Sequence, residues 1–143
     1  MSEAARVDPT SDRTGSAFEP FGHPSPMLDR LGDLRRHPAD GWRFGFVVDE
    51  PKLNGRRLLH AGAVSTIADV VIGHALAAST SPPTRFVTTA LEVHFVGAGG
   101  EGEWVDVTVV PIRVGRRLAV GTASFAIGDR RVGFATATFM PPA

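Results

Sequence analysis

The sequence LLHAGAVSTIADVVIGHALAA, residues 58–78, decides the fold of this chain. Apolar and small residues occupy nearly every position from residue 63 onward, and a helix that is apolar on all sides is enclosed by the rest of its protein. Asp69 is the one formally charged side chain in this run. Burying an uncompensated ion costs several kcal/mol, so this carboxylate must be paired, hydrated or protonated. That cost marks Asp69 as a candidate site residue.

Composition limits the chemistry that the chain can perform. Its 143 residues are the length of one domain, and such a domain buries roughly two thirds of its unfolded surface. Fifteen basic residues balance fifteen acidic ones, so neither a nucleic acid nor an anionic membrane is an expected partner. The chain has no cysteine, which excludes disulfides, thiolate metal sites and thiol redox chemistry. The reactive groups must therefore be oxygen atoms and imidazole rings.

The N-terminal segment differs in composition from the rest of the chain. Residues 1–17 are polar and lack periodicity, which predicts a disordered arm, and residues 18–143 are expected to form a single domain. The N-terminus has no secretory signal, and no apolar run reaches the ~20 residues of a membrane span, so we expect a cytoplasmic protein. Ser25 and Pro26 are suited to begin a short helix with an apolar stripe, which would serve as a lid or packing helix.

The segments around the central helix have the patterns of strands. Residues 42–48 alternate apolar and other side chains, which is typical of a half-buried strand. After the helix, four strands separated by turn residues are predicted at 86–96, 104–114, 118–127 and 132–139. These elements predict an α+β domain whose antiparallel meander curls around the helix. One sheet cannot cover the whole helix, so we expect a homodimer, or a homotetramer built from it.

The order Asn54-x5-His60-Ala61-Gly62-x6-Asp69 resembles the signature of hotdog-fold acyl-CoA thioesterases of the PaaI-like branch. The resemblance extends from about Trp42 to Phe139, and Thr88, seven residues before an aromatic, matches a further position of that branch. It implies a hotdog fold and hydrolysis of an acyl-CoA to free acid and coenzyme A, with no cofactor other than the coenzyme A of the substrate.

The resemblance also implies a role for each matched residue. Asp69 would act as general base or nucleophile, which requires an ionised carboxylate near the water or carbonyl carbon. The backbone N–H of Ala61, at the positive end of the helix dipole, would form an oxyanion hole, with His60 beside it as a structural group or a thioester contact. Asn54 would polarise the substrate or position water. In such a dimer these three groups face Asp69 and Thr88 of the other subunit.

Substrate-binding residues are predicted around the same turn and on one distant turn. Gly62 belongs to the turn that would hold the thioester. Arg116 and Arg117 would bind the phosphates of coenzyme A, because the guanidinium group suits bidentate phosphate contact. Phe86, Phe95, Trp104 and Phe125 could line an acyl pocket or belong to the core.

Two positions depart from the family pattern. Ala61 stands where the family has glycine, and a turn that needs a positive φ would be distorted there. Gly73 stands where another hotdog branch has a water-holding Thr, which would leave that task to Thr88 alone. Thr89 adjoins Thr88, and strand propensity does not distinguish them.

Alternatives to hydrolysis remain open from the sequence. A hotdog hydratase or dehydratase acting on acyl-CoA or acyl-carrier protein would use a His and an acid for proton transfer, and a non-catalytic acyl-CoA-binding module would keep the pocket only. A metal site from His60, His74, His94 and Asp69 has no familiar ligand spacing, so we predict no metal.

Overall fold

A computed structural model describes residues 15–23 and 25–143, so most of the predicted arm, residues 1–14, lies outside the described residues. In chain order the elements are β1 (Glu19–Pro20), α1 (Pro26–Leu31), β2 (Arg35–Arg36), β3 (Arg43–Val47), a 3-10 helix (Glu50–Lys52), α2 (Ala61–Ala78), β4 (Val87–Phe95), β5 (Trp104–Val114), β6 (Ala119–Ile127) and β7 (Arg130–Met140). Gly15, at the end of the predicted arm, is buried against the indole of Trp104.

The strands form one seven-stranded antiparallel sheet in the order β1-β2-β3-β5-β6-β7-β4. The prediction that the last four strands are successive neighbours is wrong for β4, which pairs with β7 rather than β5. The reason is the position of α2, which lies against β4, β5, β6 and β7 and carries the chain from one side of the sheet to the other. The connection back to β5 passes the start of α2, where the Leu59 N–H donates to the Gly99 carbonyl at 2.8 Å.

The sheet wraps around α2, which begins at Ala61, two residues before the predicted start. One side of the helix is buried against the sheet, and its buried residues are Ala63, Val64, Ile67, Ala68, Val71, Ile72, Ala75 and Leu76. Gly121 on β6 allows this close approach, because a Cβ there would lie 2.9 Å from the Ile72 side chain. An antiparallel sheet wrapped around one long helix is the hotdog fold, so the predicted fold class is confirmed.

Burial also explains the composition of α2. Within residues 15–23 and 25–143 it is the one helix long and apolar enough to span a membrane, but here it forms the core of the domain. Its remaining face, at Thr66, Asp69, Val70, Gly73 and Ala77, is only half-buried. The sheet therefore leaves one stripe of the helix accessible, and the stripe contains Asp69.

The predicted short helix is present as α1. Pro26 is its first residue, and the Ser25 hydroxyl accepts a hydrogen bond from the Leu28 N–H at 3.5 Å. Leu28 and Leu34 are buried in the core, which fixes the N-terminal segment against the domain. This segment covers one border of the half-buried stripe on α2, where Phe21 contacts the ring of His74.

A fully buried lysine lies beneath the start of α2. Lys52 has 0% of its side chain exposed, and its Nζ is 2.5 Å from Asp49 Oδ1. Asp49 Oδ2 accepts from the Asp33 N–H at 2.8 Å, and the Lys52 carbonyl accepts from the His60 N–H at 2.7 Å. Burial lowers the pKa of Lys52, and Asp49 partly opposes that effect. The ion pair thus joins the end of α1 to the turn that begins α2.

Asp49→Asn is expected to destabilise the protein by about 3 kcal/mol, because it leaves the enclosed Lys52 ammonium without its counter-ion. Lys52→Met is the matched control and should stay within about 1 kcal/mol of the wild type, since Asp49 keeps the Asp33 N–H and access to water. Urea unfolding of both variants at pH 7 measures the difference. Equal free energies of unfolding for the two variants would contradict the expectation that loss of Asp49 costs more stability than loss of Lys52.

The same pair predicts how stability depends on pH. The folded pKa of Lys52 lies below its ordinary value of 10.5, so the unfolded chain binds more protons between the two pKa values. The free energy of unfolding should therefore rise with pH through that window and level off above 10.5. In Asp49→Asn the window should widen toward lower pH, which urea unfolding at several pH values will reveal.

Candidate functional site

Asp69 and Thr88 meet on the accessible stripe of α2. The Thr88 hydroxyl donates to Asp69 Oδ1 at 2.6 Å, joining the middle of the helix to the start of β4. The neighbouring Thr89 hydroxyl instead donates to the Thr138 carbonyl on β7, at 3.1 Å. The register of β4, including a bulge between residues 88 and 90, thus brings one of the two threonines to the carboxylate. Asp69 retains a second carboxylate oxygen that can accept a proton or attack an electrophile.

The start of α2 presents an unpaired backbone N–H. His60 is the N-cap, and its Nδ1 accepts from the Gly62 N–H at 2.7 Å. Because Nδ1 accepts, the ring proton of the neutral imidazole is on Nε2, where it can donate to a ligand. The Ala61 N–H has no hydrogen-bond partner within residues 15–23 and 25–143. An unpaired N–H at the positive end of a helix is a built-in acceptor site for a developing oxyanion.

Alanine at position 61, where the family has glycine, does not distort this turn. Both Ala61 and Gly62 lie within α2, and Arg57 is the one described residue other than glycine with a positive φ. Gly62 leaves room for the cap, since a Cβ there would make a tight contact of 3.1 Å with His60 Nδ1. The side chain at position 61 therefore leaves the backbone donor in place.

Asn54 organises the loop before α2. Its Oδ1 accepts from the Arg56 N–H at 2.9 Å and from the Leu58 N–H at 3.1 Å. Arg57, whose φ is 58°, forms two hydrogen bonds with Glu101 at 2.8 and 3.0 Å, and this carboxylate raises the pKa of the guanidinium. The Asn54 oxygen is thus occupied, and its amide NH2 group remains available to a ligand. A groove of about 310 Å³ borders Asn54, Ala61 and Phe95.

The two groups of predicted residues do not converge within one chain. Asp69 follows His60 by nine residues, which is about 13.5 Å along a helix and two and a half turns around it. Thr88 lies beside Asp69, whereas Asn54 and Ala61 lie at the helix start. A single chain therefore holds two half-sites, one with the carboxylate and one with the backbone donor.

Arg116 and Arg117 are exposed in the turn between β5 and β6, and among the described residues no hydrogen bond or ion pair joins their side chains to either half-site. Ala119, just after this turn, pairs with Phe139 on β7, and Phe139 pairs with Thr88 on β4. The turn therefore lies at the same end of the sheet as Thr88. Two strand spacings, about 10 Å, separate the turn from the start of β4. Both guanidinium groups are free to meet a ligand at that end of the sheet.

A second groove, of about 430 Å³, adjoins Asp69 and was not predicted from the sequence. It is lined by His23, Val70, Gly73, His74, Ala77, Thr84, Arg85 and Phe86. Burial lowers the pKa of His74, and the nearby His23 and Arg36 lower it further. Sequence reasoning considered His74 only as a metal ligand and missed His23 and Arg85, because the three residues come from separate segments without a common motif.

The remaining candidate residues are dispersed. Within the described part of the chain no three His, Asp or Glu side chains are grouped so that they could hold a metal ion. His94 hydrogen-bonds to Glu92 and stacks on Phe134, with ring centroids 4.8 Å apart. Of the four aromatic residues proposed for an acyl pocket, Phe86 and Phe95 border the two grooves. Trp104 and Phe125 are buried in packing contacts instead.

Comparison with known proteins agrees with this architecture. The family model described as "Thioesterase superfamily" matches residues 57–134, which is more than half of the chain, so the chain belongs to the thioesterase superfamily. Among curated proteins, "Putative esterase PA0474" of Pseudomonas aeruginosa is 34% identical over 127 residues, covering 87% of this chain and 95% of that protein. Membership of this superfamily and the similarity to an esterase support a hydrolase activity.

Solved structures share the fold. Zebra fish thioesterase superfamily member 2 has a TM-score of 0.74 at 20% identity, covering 82% of this chain and 88% of that one. A mutant of phenylacetic acid degradation protein PaaI from Thermus thermophilus has a TM-score of 0.70 at 22% identity, covering 82% and 100%. The smu.793 protein of Streptococcus mutans UA159, bound to acetyl CoA, has a TM-score of 0.65 at 19% identity, covering 71% and 80%. The PaaI-like resemblance is thus confirmed at the level of the fold.

Proposed function

We propose that this protein is a cytoplasmic acyl-CoA thioesterase that hydrolyses an acyl-CoA to a free acid and coenzyme A, using neither metal nor redox cofactor. The observation that carries the proposal is the Asp69 carboxylate, held by the Thr88 hydroxyl on the accessible stripe of the core helix. Membership of the thioesterase superfamily supports it. So does the fold shared with a protein that binds acetyl CoA.

We propose further that the active site forms between two copies of the chain. Each chain holds two half-sites separated by about 12 Å along α2, from Ala61 to Asp69, so one copy cannot bring them to one thioester carbonyl. The edge strand β4 is exposed along most of its nine residues and carries exposed Val87, Leu91 and Phe95. A two-fold dimer through this edge and the α2 stripe would cover the apolar surface and pair each half-site with its complement.

The reaction then needs only groups already present. Water attacks the thioester carbonyl carbon as its proton passes to Asp69, and the Ala61 N–H of the other chain stabilises the oxyanion. The C–S bond breaks, and the proton returns from Asp69 to the thiolate of coenzyme A. In the alternative nucleophilic mechanism, Asp69 itself attacks the carbonyl carbon and the thiolate leaves. Water then hydrolyses the resulting anhydride.

The other matched residues would hold the substrate around this carbon. Thr88 fixes the carboxylate and, because Gly73 has no hydroxyl, is the hydroxyl available to hold the water. The Asn54 amide and the His60 Nε2–H would contact the thioester oxygen or water, and Gly62 keeps the ring of His60 in place. Arg116 and Arg117 would meet the phosphates of coenzyme A.

Thiol release from a panel of short, long, branched and aromatic acyl-CoAs tests the function. A chromogenic thiol reagent detects coenzyme A, and the absence of cysteine keeps the protein's own signal low. We expect saturable release for at least one class of acyl-CoA. Saturable binding without any release would identify a binding module instead, and loss of substrate without free thiol would identify a hydratase.

A further inference from the structure

We propose that the groove beside Asp69 binds the acyl group and that His23, His74 and Arg85 select acyl groups with a second carboxylate at their far end. This proposal, which rests on the proposed thioesterase function, assigns the substrate class to ω-carboxyacyl-CoAs. It uses residues that play no part in the mechanism above.

The position of the groove fits an acyl group. Its wall on α2 begins at Val70, next to Asp69, and continues one turn on at Gly73. Phe86, two residues before Thr88, forms the opposite wall. An acyl chain attached to a carbonyl at Asp69 would therefore enter this groove directly. The volume of about 430 Å³ suits a small acyl group.

Gly73 allows α2 to lie close to β7 where the groove begins. A Cβ at position 73 would lie 3.0 Å from the ring of Phe139, which is buried in the core. His74 follows Asp69 by five residues, or about 7.5 Å along the helix. A short chain starting at the carboxylate thus reaches the imidazole before it leaves the groove.

The titratable side chains of the groove are all nitrogen bases, and its other polar side chain, Thr84, is hydrogen-bonded to Thr80. The lining residues include His23, His74 and Arg85 and no carboxylate. His74 is held by ring contacts, 4.8 Å from Phe21 and 5.9 Å from His23 between centroids. None of these three side chains has a hydrogen-bond or ion-pair partner among the described residues. Three side-chain donors without a partner, in a groove lined otherwise mainly by apolar residues, favour an acceptor that a ligand brings.

The charge around His74 makes that acceptor an anion. Burial lowers the pKa of His74, and repulsion from His23 and Arg36 lowers it further. Arg36 is itself paired with Glu19 at 2.9 Å. A carboxylate at the end of the acyl chain would supply the missing negative charge, and charge-assisted hydrogen bonds are the strong ones.

The other groove has the features expected for coenzyme A. It lies at the opposite half-site, where Asn54, Ala61 and the exposed Arg56 form its border. In a site shared by two chains, the two grooves lie on either side of the thioester. The basic groove beside Asp69 is thereby left to the acyl group.

The test compares acyl-CoAs of equal chain length with and without a terminal carboxylate: butanoyl with succinyl, pentanoyl with glutaryl, and hexanoyl with adipyl. The wild type should prefer at least one ω-carboxyacyl-CoA by about 10- to 100-fold in kcat/KM, as expected for hydrogen bonds to a charged group. Arg85→Gln, an exposed position, and His74→Phe, which preserves the ring contacts, should remove most of that preference. Both should retain hydrolysis of the uncharged partner. Arg131→Gln, on the outer face of the sheet, is the matched control.

Each other outcome gives a definite answer. Equal kcat/KM within every pair overturns the proposal and leaves the thioesterase function standing. A uniform rise in KM for all acyl-CoAs in Arg85→Gln assigns the cluster to a phosphate of coenzyme A and also overturns it. If no acyl-CoA releases thiol, the proposed function fails, and calorimetric titration with adipyl-CoA and hexanoyl-CoA decides the selectivity. Tighter binding of adipyl-CoA that depends on Arg85 supports it, and equal binding rejects it.

Discussion

Asp69→Asn should release thiol from acyl-CoA about 100- to 10,000-fold more slowly than the wild type at saturating substrate, the range expected when a general base is removed. Asparagine has the shape of aspartate, and its side-chain oxygen can still accept from Thr88. It cannot take a proton from water or attack a carbonyl carbon. The rate should therefore fall while the fold and KM change little, as measured by thiol release and circular dichroism.

The adjacent threonines provide a matched pair for this prediction. Thr88→Val removes the hydroxyl that fixes Asp69 and should lower kcat by about 10-fold or more, the equivalent of one hydrogen bond to a charged group. Thr89→Val removes a hydroxyl bonded to the β7 backbone and should leave kcat near the wild-type value. Full activity of Asp69→Asn would rule out both catalytic roles for the carboxylate, whatever the threonine variants show.

Much of the fold could be predicted because buried positions are apolar and recur along the sequence with the spacing typical of a helix or a strand. The helix at 61–78 is rich in apolar residues because one side of it packs into the core against the sheet, and the predicted bounds of β5 match those observed. The position of β4 could not be predicted, because strand order depends on how the chain passes around α2 and not on local pattern. The strands β1 and β2 have only two residues each, too few to show any period.

The site could be predicted only in part, for similar reasons. Motif spacing selected Thr88, and its contact with Asp69 depends on the strand register that the sequence does not state. The burial of Lys52 was not predicted, because lysines are almost never fully buried. The groove residues His74 and Arg85 belong to different elements, so only the folded chain brings them together.

Ala61→Pro should lower kcat about 100- to 1,000-fold, the typical cost of deleting one oxyanion-hole donor. Position 61 is the first residue of α2, where proline is well tolerated. His60 has φ −73° and ψ 134°, the extended conformation that proline requires of the residue before it. The Ala61 N–H has no partner among the described residues, so the substitution breaks no hydrogen bond of the fold. Ala61→Gly retains the N–H and should keep near-wild-type kcat, and a thermal melt checks that both variants fold.

A hybrid of the two inactive variants tests whether the half-sites come from different chains. Chains carrying Ala61→Pro and chains carrying Asp69→Asn are co-expressed with different tags, and the mixed dimer is purified. In a shared arrangement one site receives both substitutions, whereas the other receives Ala61 from one chain and Asp69 from its partner. The mixed dimer should then regain about half the wild-type rate, because one of its two equivalent sites is intact. If each site belonged to a single chain, both would remain damaged and the mixed dimer would be as slow as its parents.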